Sequence, residues 1–171
     1  MSTAVAGDPS GCSQLGAELR SRAATLLALH TEVVEQQRGS GRSRRRDHLD
    51  PLLVERDRAT LEAVAVRLDA AGAALQRYAQ ELAAMGQEAQ RIERAARAAG
   101  LELDGLRVVE PWGVAAPDTA RARLEAMPDL QRRSERLASQ VARARGSLRR
   151  SLEGGRDELE RTAAGVRGSL G

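Results

Sequence analysis

Starting at Leu61, the positions alternately three and four apart are Leu61, Val64, Leu68, Ala71, Leu75, Tyr78, Leu82, Met85, Ala89, Ile92, Ala96 and Ala99. All twelve are apolar or aromatic, an unbroken series of more than five heptads. Sustained 3-4 spacing puts side chains on one stripe of an α-helix and predicts a coiled-coil-like seam. A helix cannot bury such a stripe against itself. It demands a partner stripe, from this chain or from another. The thinning to Ala toward the end lets a partner helix approach closely. Asp50-Pro51 is a start signal, an N-cap residue followed by Pro in the first turn, and Gly100 is a stop signal. The spacing therefore predicts a helix over 50–99, roughly 75 Å long at about 1.5 Å per residue. Gly72 and Gly86 fall off the stripe and are expected to weaken the helix by roughly 1 kcal/mol each.

Two further patterns flank this one. Between Ser13 and Arg38, Leu15, Leu19, Leu26, Leu29 and Val33 keep a similar spacing, interrupted by Arg22, and predict a helix over 13–38. The Gly/Ser linker that follows, 39–49, is rich in Arg and long enough to reverse the chain, so the first two helices form an antiparallel hairpin. Leu130, Leu137, Val141, Ala144, Leu148, Leu159 and Val166 form the third stripe, with Ser134, Ser151, Gly155 and Thr162 as weak members. That helix is expected over 118–153, re-started at Pro128-Asp129 after a short piece at 118–127. Gly154-Gly155 is the expected fault line, with 154–171 frayed or disordered. Residues 1–12 are expected to be a disordered N-terminus. The fold class is all-α: an elongated antiparallel helical hairpin or three-helix bundle with coiled-coil-like packing, in a single helical domain over 13–153.

An apolar island interrupts the helices. Gly100 to Asp118 reads GLELDGLRVVEPWGVAAPD, and Asp104-Gly105 between two short apolar runs is a hairpin signal. A small β-turn or hairpin excursion near 101–110, ended by Pro111, is expected. Trp112, the only Trp in the chain, then falls at the tip where the helices reverse. Two readings of it stand: a cap packed over the helix ends and the end of the seam, or an exposed anchor for a partner.

Composition narrows the function classes. All 27 basic residues are Arg, with no Lys, Asn or Phe, one Trp and one Tyr, which points to long helices with narrow seams rather than an aromatic core. Arg in place of Lys and abundant Ala suggest a GC-rich bacterial genome. The net charge is only +3, which gives little support for nucleic-acid binding although the pI is about 10.2. The one dense cluster, Arg42, Arg44, Arg45 and Arg46, is a possible anion-binding site on nucleic acid or anionic lipid, diluted by Asp47 and Asp50; a solvated linker is the simpler reading. Cys12 is the only cysteine, so no intramolecular disulfide is possible, and it reads as a structural thiol. The N-terminal MSTAVAGDPSG lacks the pattern of a Sec-type signal peptide, and no window approaches a membrane span. With no Lys, no phosphate loop of the Walker type can form. His30 and His48 lack metal-ligand spacing, and no nucleophile–base arrangement is suggested, so neither catalytic nor cofactor or metal sites are expected.

On these residues the layout resembles the WXG-family proteins of type VII (ESX) secretion, which are low-aromatic helical hairpins with a Trp-Gly element between the helices. The segment ALQRYAQELAAMGQEAQRIERAARAAGLELDG is similar to the helical N-terminal modules of actinobacterial secretion-associated proteins and polymorphic toxins, in which an Ala-rich helix ends in a Gly-Leu-x-Leu/Val-Asp-Gly turn. The resemblance spans about 13–115. It differs at two points: Trp112 and Gly113 are adjacent where the family has Trp-x-Gly, and Tyr78 is followed by Ala79-Gln80-Glu81, one residue short of the family's Tyr-x-x-x-Asp/Glu export signal. The resemblance implies a secretion substrate or adaptor that pairs with a small WXG-type helical partner. It also implies a cytoplasmic protein that can leave by a route independent of a signal peptide.

Together these readings predict a non-enzymatic helical protein–protein interaction module. Its interface is expected at the central stripe (Leu68, Leu75, Tyr78 and Leu82), where one chain's stripe completes another's seam, and at Trp112. The rival readings are a homodimeric cytoplasmic coiled coil and a weak nucleic-acid binder through Arg42 to Arg46.

Overall fold

The computed structural model describes residues 7–39 and 51–167. The chain forms three helices, α1 (Pro9–Gly39), α2 (Pro51–Ala98) and α3 (Pro117–Arg167), with a two-stranded antiparallel hairpin of β1 (Glu102–Asp104) and β2 (Arg107–Val109) between α2 and α3 in sequence. The fold is all-α with one small β-hairpin, as the stripes predict. The contacts divide into two compact units, one comprising Met1–Cys12 and Arg77–Leu148, the other Ser13–Gln76 and Arg149–Gly171. A single domain over 13–153 is expected from the sequence; the division arises because side chains on a long helix touch only what lies beside them.

In the first unit, the second half of α2 runs antiparallel to the first part of α3. Leu82, Met85, Ala89, Ile92 and Ala96 of the predicted stripe are buried, together with Leu130, Leu137, Val141 and Ala144 of α3 and Leu101 and Val108 of the hairpin. Tyr78 and Ala99 are half-buried against this cluster. Ile92 is completely buried, and so is Ser134, a polar member of α3's stripe. Its hydroxyl donates to the Leu106 carbonyl at the hairpin tip, which satisfies both groups inside the core.

α2 stops where the sequence signals it should. Gly100 takes a positive φ of 73°. Its N–H donates to the Arg97 carbonyl (3.0 Å), and the Leu101 N–H reaches back to the Ala96 carbonyl (2.8 Å). This is the Schellman arrangement, and the buried Leu101 supplies its usual apolar contact. A side chain at Gly100 would be crowded by Thr119 and Arg123 of α3, at 3.1 and 3.3 Å from an added Cβ.

In the second unit, α1 runs antiparallel to the first half of α2, and the end of α3 joins it. Arg20 bridges α1 to α2, its Nε donating to Asp69 (2.9 Å) and its Nη1 to Gln76 (3.1 Å). Arg67 of α2 pairs with Glu158 of α3, and Arg56 Nη2 donates to the Gly165 carbonyl (2.8 Å). The predicted stripe of α1 is corrected. Leu15 and Leu29 are exposed, while Gly16 and Ala23 are buried and Leu19 and Leu26 half-buried. The seam therefore runs Cys12, Gly16, Leu19, Ala23, Leu26 and His30, with small residues at its closest points. The cause is Gly72, which is buried rather than an idle glycine off the stripe. A Cβ on Gly72 would lie 2.5 Å from the Gly16 carbonyl oxygen, and one on Gly16 would lie 2.7 Å from the Gly72 carbonyl oxygen. The two backbones touch, and larger residues at this crossing would hold them apart.

Three boundaries also differ from expectation. α1 begins at Pro9, not Ser13, because Asp8 caps it: its Oδ1 accepts from the Ser10 N–H (3.0 Å) and its carbonyl from the Cys12 N–H (3.1 Å). α3 runs unbroken from Pro117 through Pro128. It also continues through Gly154-Gly155 to Arg167, so the expected frayed segment is helical that far. Its last turns keep the stripe, with Leu159, Thr162 and Val166 half-buried, and this burial outweighs the weak propensity of two glycines. The Arg-rich linker and residues 1–6 lie outside the described residues.

Gly72 and Gly86 should respond in opposite directions to the same substitution. Gly72→Ala is expected to lower stability by about 1–3 kcal/mol because the Gly16 backbone blocks the new methyl group. Gly86, whose added Cβ meets nothing within 4 Å, should gain up to about 1 kcal/mol on substitution by Ala. Urea unfolding of the two variants checks this.

Candidate interaction surface

The hairpin is what carries the exposed loop. Its register pairs Glu102 with Val109, Leu103 with Val108 and Asp104 with Arg107, leaving Gly105-Leu106 as the two turn residues. Gly105 has a φ of 62° while no described non-glycine residue has positive φ. That is the type II′ requirement, glycine at the first central position. Asp104-Gly105 thus starts the turn as the sequence suggests, with Gly105 rather than Asp104 as the first central residue. The Val108 N–H donates to Gln131 Oε1 of α3 at 3.2 Å, and the buried Val108 side chain ties the second strand to the core. Leu106 accepts from Ser134. The hairpin is therefore anchored to α3 by a backbone donor at one point and a backbone acceptor at another.

β2 ends at Val109, and Pro111, which has no N–H to give, follows after Glu110. The chain bends at Trp112-Gly113, with Gly113 at a φ of 125°, and enters α3 at Pro117. The Ala116 carbonyl accepts the first helical hydrogen bond, from the Ala120 N–H at 2.9 Å. Between these fixed ends Trp112 and Val114 are fully exposed, each at 105 % of the reference accessibility. Leu124, two turns into α3, is 71 % exposed. The expectation that Trp112 packs over the helix ends is thus corrected: Leu101, Val108 and Leu130 are buried at that end of the core, and the indole stands clear of it.

The predicted stripe residues fare differently. Leu75 and Leu82 are buried by the chain itself, and Leu68 and Tyr78 are half-buried. Leu75 and Leu82 are therefore not open to another chain's seam; the partner that the stripe demands is supplied internally. Arg42, Arg44, Arg45, Arg46 and His48 lie outside the described residues. His30 is half-buried on α1, and among the described residues no group of three or more His, Cys, Asp or Glu side chains is placed to hold a metal ion. Among them, too, no helix is long and apolar enough to cross a membrane.

Charged side chains on the helices pair with one another. Glu88 of α2 accepts from Arg133 Nη2 of α3 at 2.8 Å and from Arg91 at 3.4 Å. The Arg133 hydrogen bond is the main cause that holds the Glu88 carboxyl below the usual carboxylate range, against a smaller opposing effect of burial. The Arg58 and Arg156 guanidinium groups are raised by hydrogen bonds to Glu62 and Glu160, ordinary neighbours one helical turn away.

A feature that periodicity alone does not reveal lies on α3. From Arg136 to Leu152 the chain contains five Arg and no acidic residue. Counting carboxylates at three and four residues from each Arg would have found it. Comparison with protein-family models, with curated proteins and with solved structures returns no match.

Because the folded pKa of Glu88 is depressed, the Glu88–Arg133 contribution is fully present above the ordinary carboxylate pKa of about 4.3. It is lost as pH falls through the lower folded value. Glu88→Gln should therefore lower the urea midpoint at about pH 7, with the difference from the parent shrinking as pH falls below the ordinary carboxylate range.

Proposed function

We propose that the chain is a non-enzymatic helical protein–protein interaction module that presents the Trp112 loop to a helical protein partner. The finer reading, which rests on the resemblance in sequence, is a type VII secretion-associated substrate or adaptor pairing with a small WXG-type helical protein of an actinobacterial source. The observation that supports the module reading is the full exposure of Trp112 and Val114 on the loop between the hairpin and α3. A Trp left in water contributes nothing to folding, yet it is the side chain that yields most when a partner covers it. The loop also changes how binding is expected to work. Since Leu75 and Leu82 are covered within the chain, a partner adds to a finished fold instead of completing an open seam. The same burial weighs against the homodimeric coiled coil as a rival.

Trp112 is also the natural reporter, as the only indole in the chain. Titration with small WXG-type proteins should shift its fluorescence from that of a hydrated indole to the blue. Trp112→Ala should weaken such a complex by about 2 kcal/mol, roughly thirtyfold in Kd. Stability of the free chain should change by no more than about 0.5 kcal/mol. If the chain remains a monomer with unshifted Trp112 emission beside every WXG-type protein tried, the secretion pairing is wrong.

A further inference from the structure

We propose that the Trp112 loop receives a basic segment of a protein partner, with an arginine or lysine side chain set against the exposed indole and the carboxylates of Glu102 and Glu110. This rests on the reading of the chain as a partner-binding module and names the chemistry that the partner brings.

Arginine is 27 of the 171 residues, yet between Arg97 and Arg121 the chain holds only Arg107, against Glu102, Asp104, Glu110 and Asp118. The arginines that border this run are matched within their own helices, Arg97 with Glu93 (2.8 Å) and Arg121 with Glu125 (2.9 Å). Arg123 packs beside Gly100 at the end of α2, where the last helix carbonyls carry partial negative charge. Arg107 stands opposite Asp104 in the hairpin register, so these two charges offset each other. Asp118 lies in the first turn of α3, at that helix's positive end. Glu102 and Glu110 remain, both exposed and without an ion pair among the described residues. Strand alternation turns Glu102 away from the core that Val108 enters, and the register sets it opposite Val109, one residue before Glu110. Glu102 also lines an open depression of about 420 Å³, together with the Glu93–Arg97 pair, Leu101, Leu103 and Pro111, the residue before Trp112.

An indole in water and two unmatched carboxylates beside it select the same kind of ligand. The face of a Trp ring attracts cations more strongly than any other side-chain ring, and carboxylates attract them at longer range. Nucleic acid and an anionic membrane bring the wrong sign of charge. A purely apolar partner surface would strip water from Glu102 and Glu110 and give nothing in return. A metal ion is a poor match, because among the described residues no three carboxylates stand close enough to hold one. A small free organic cation needs a cage of several rings. Tyr78 is the only other ring in the chain, and it is packed against the core. The cation must therefore arrive on a larger body whose apolar side chains cover Trp112 and Val114, which is a protein segment.

The test uses a labelled peptide in which Arg alternates with Leu and Ala, and counterparts with Gln or Glu in place of Arg. Each is titrated against the full chain by fluorescence anisotropy, with Trp112 emission read in parallel. The Arg peptide should bind, shift that emission and weaken as salt rises. Glu102→Gln/Glu110→Gln should lower its affinity about tenfold, and Trp112→Leu, which keeps an apolar side chain but removes the ring, about fivefold. Glu153→Gln/Glu160→Gln makes the same change in net charge at exposed positions of α3 and should leave binding unchanged. All variants should keep the parent circular dichroism. No binding of the Arg peptide, equal binding of the Gln or Glu peptide, or undiminished binding by either loop variant overturns the proposal, and so does an equal loss with the control. Self-association of the free chain that Trp112→Leu abolishes would assign the loop to a second copy and overturn it too. A WXG-type partner lost with Trp112→Ala but kept by Glu102→Gln/Glu110→Gln would sink this inference and leave the proposed function standing. Binding of the Arg peptide beside no WXG-type protein would do the reverse.

Discussion

The stripe on α2 must be covered, and every other element is arranged to cover it. Along its second half, the cover is α3, whose own stripe places Leu137, Val141 and Ala144 against Leu82, Met85 and Ala89 within one cluster. Along its first half, the cover is α1 together with the last turns of α3. The residues chosen at these contacts follow from the distances required. Where helices meet through Leu and Ile, side chains set the spacing; where Gly16 meets Gly72, backbone meets backbone. A chain with almost no aromatic residues has little volume with which to fill gaps. It obtains its packing instead by bringing helices close, through Ala on α2 and Gly at the crossing with α1.

Close packing of smooth helices leaves their rotation and sliding weakly specified, because Ala–Ala contacts look alike one turn up or down. The polar contacts remove that freedom. Ser134 is buried on the apolar face of α3 and has one partner, the Leu106 carbonyl, so α3 can take only the position that delivers its hydroxyl there. Arg133 reaching Glu88 and Arg20 reaching Asp69 and Gln76 act in the same sense at lower stakes, being partly solvated. The hairpin is thus more than a connection between α2 and α3. It is the third wall of the core in its unit, through Leu101 and Val108, and the acceptor that fixes α3's register.

Much of this is legible in the sequence because it obeys local rules. The twelve-position stripe, the Asp-Pro start, the Gly100 stop and the Asp104-Gly105 turn each follow from a residue's own conformational preference or from helical period. What is not legible depends on contact between distant residues. Gly16 and Gly72 are weak helix formers taken singly; only their opposition makes them useful, and a seam read from large apolar residues assigns Leu15 and Leu29 in their place. The persistence of α3 past Gly154-Gly155 is of the same kind, since propensity argues for a break and burial of Leu159 and Val166 argues against it. Asp8-Pro9 is a different case. It is the same two-residue signal that marks the start of α2, set among small residues with no stripe beside it to draw notice.

The position of Trp112 was legible, its surroundings were not, and the difference has a physical cause. A Trp near the end of an apolar seam reads as a cap because burying an indole is favourable wherever room exists. Here the core is closed without it. The Schellman turn draws Leu101 inward and the hairpin draws Val108 inward, and between them they close the end of the core before the chain reaches residue 112. Pro111 and Gly113 then prevent the loop from continuing the strand or beginning the helix early. The exposure of the indole is accordingly a consequence of how completely the smaller residues do their work. A fold that needed Trp112 for its core could not offer it to a partner without unfolding, whereas this one can surrender that side chain and keep every contact that holds α2, α3 and the hairpin together.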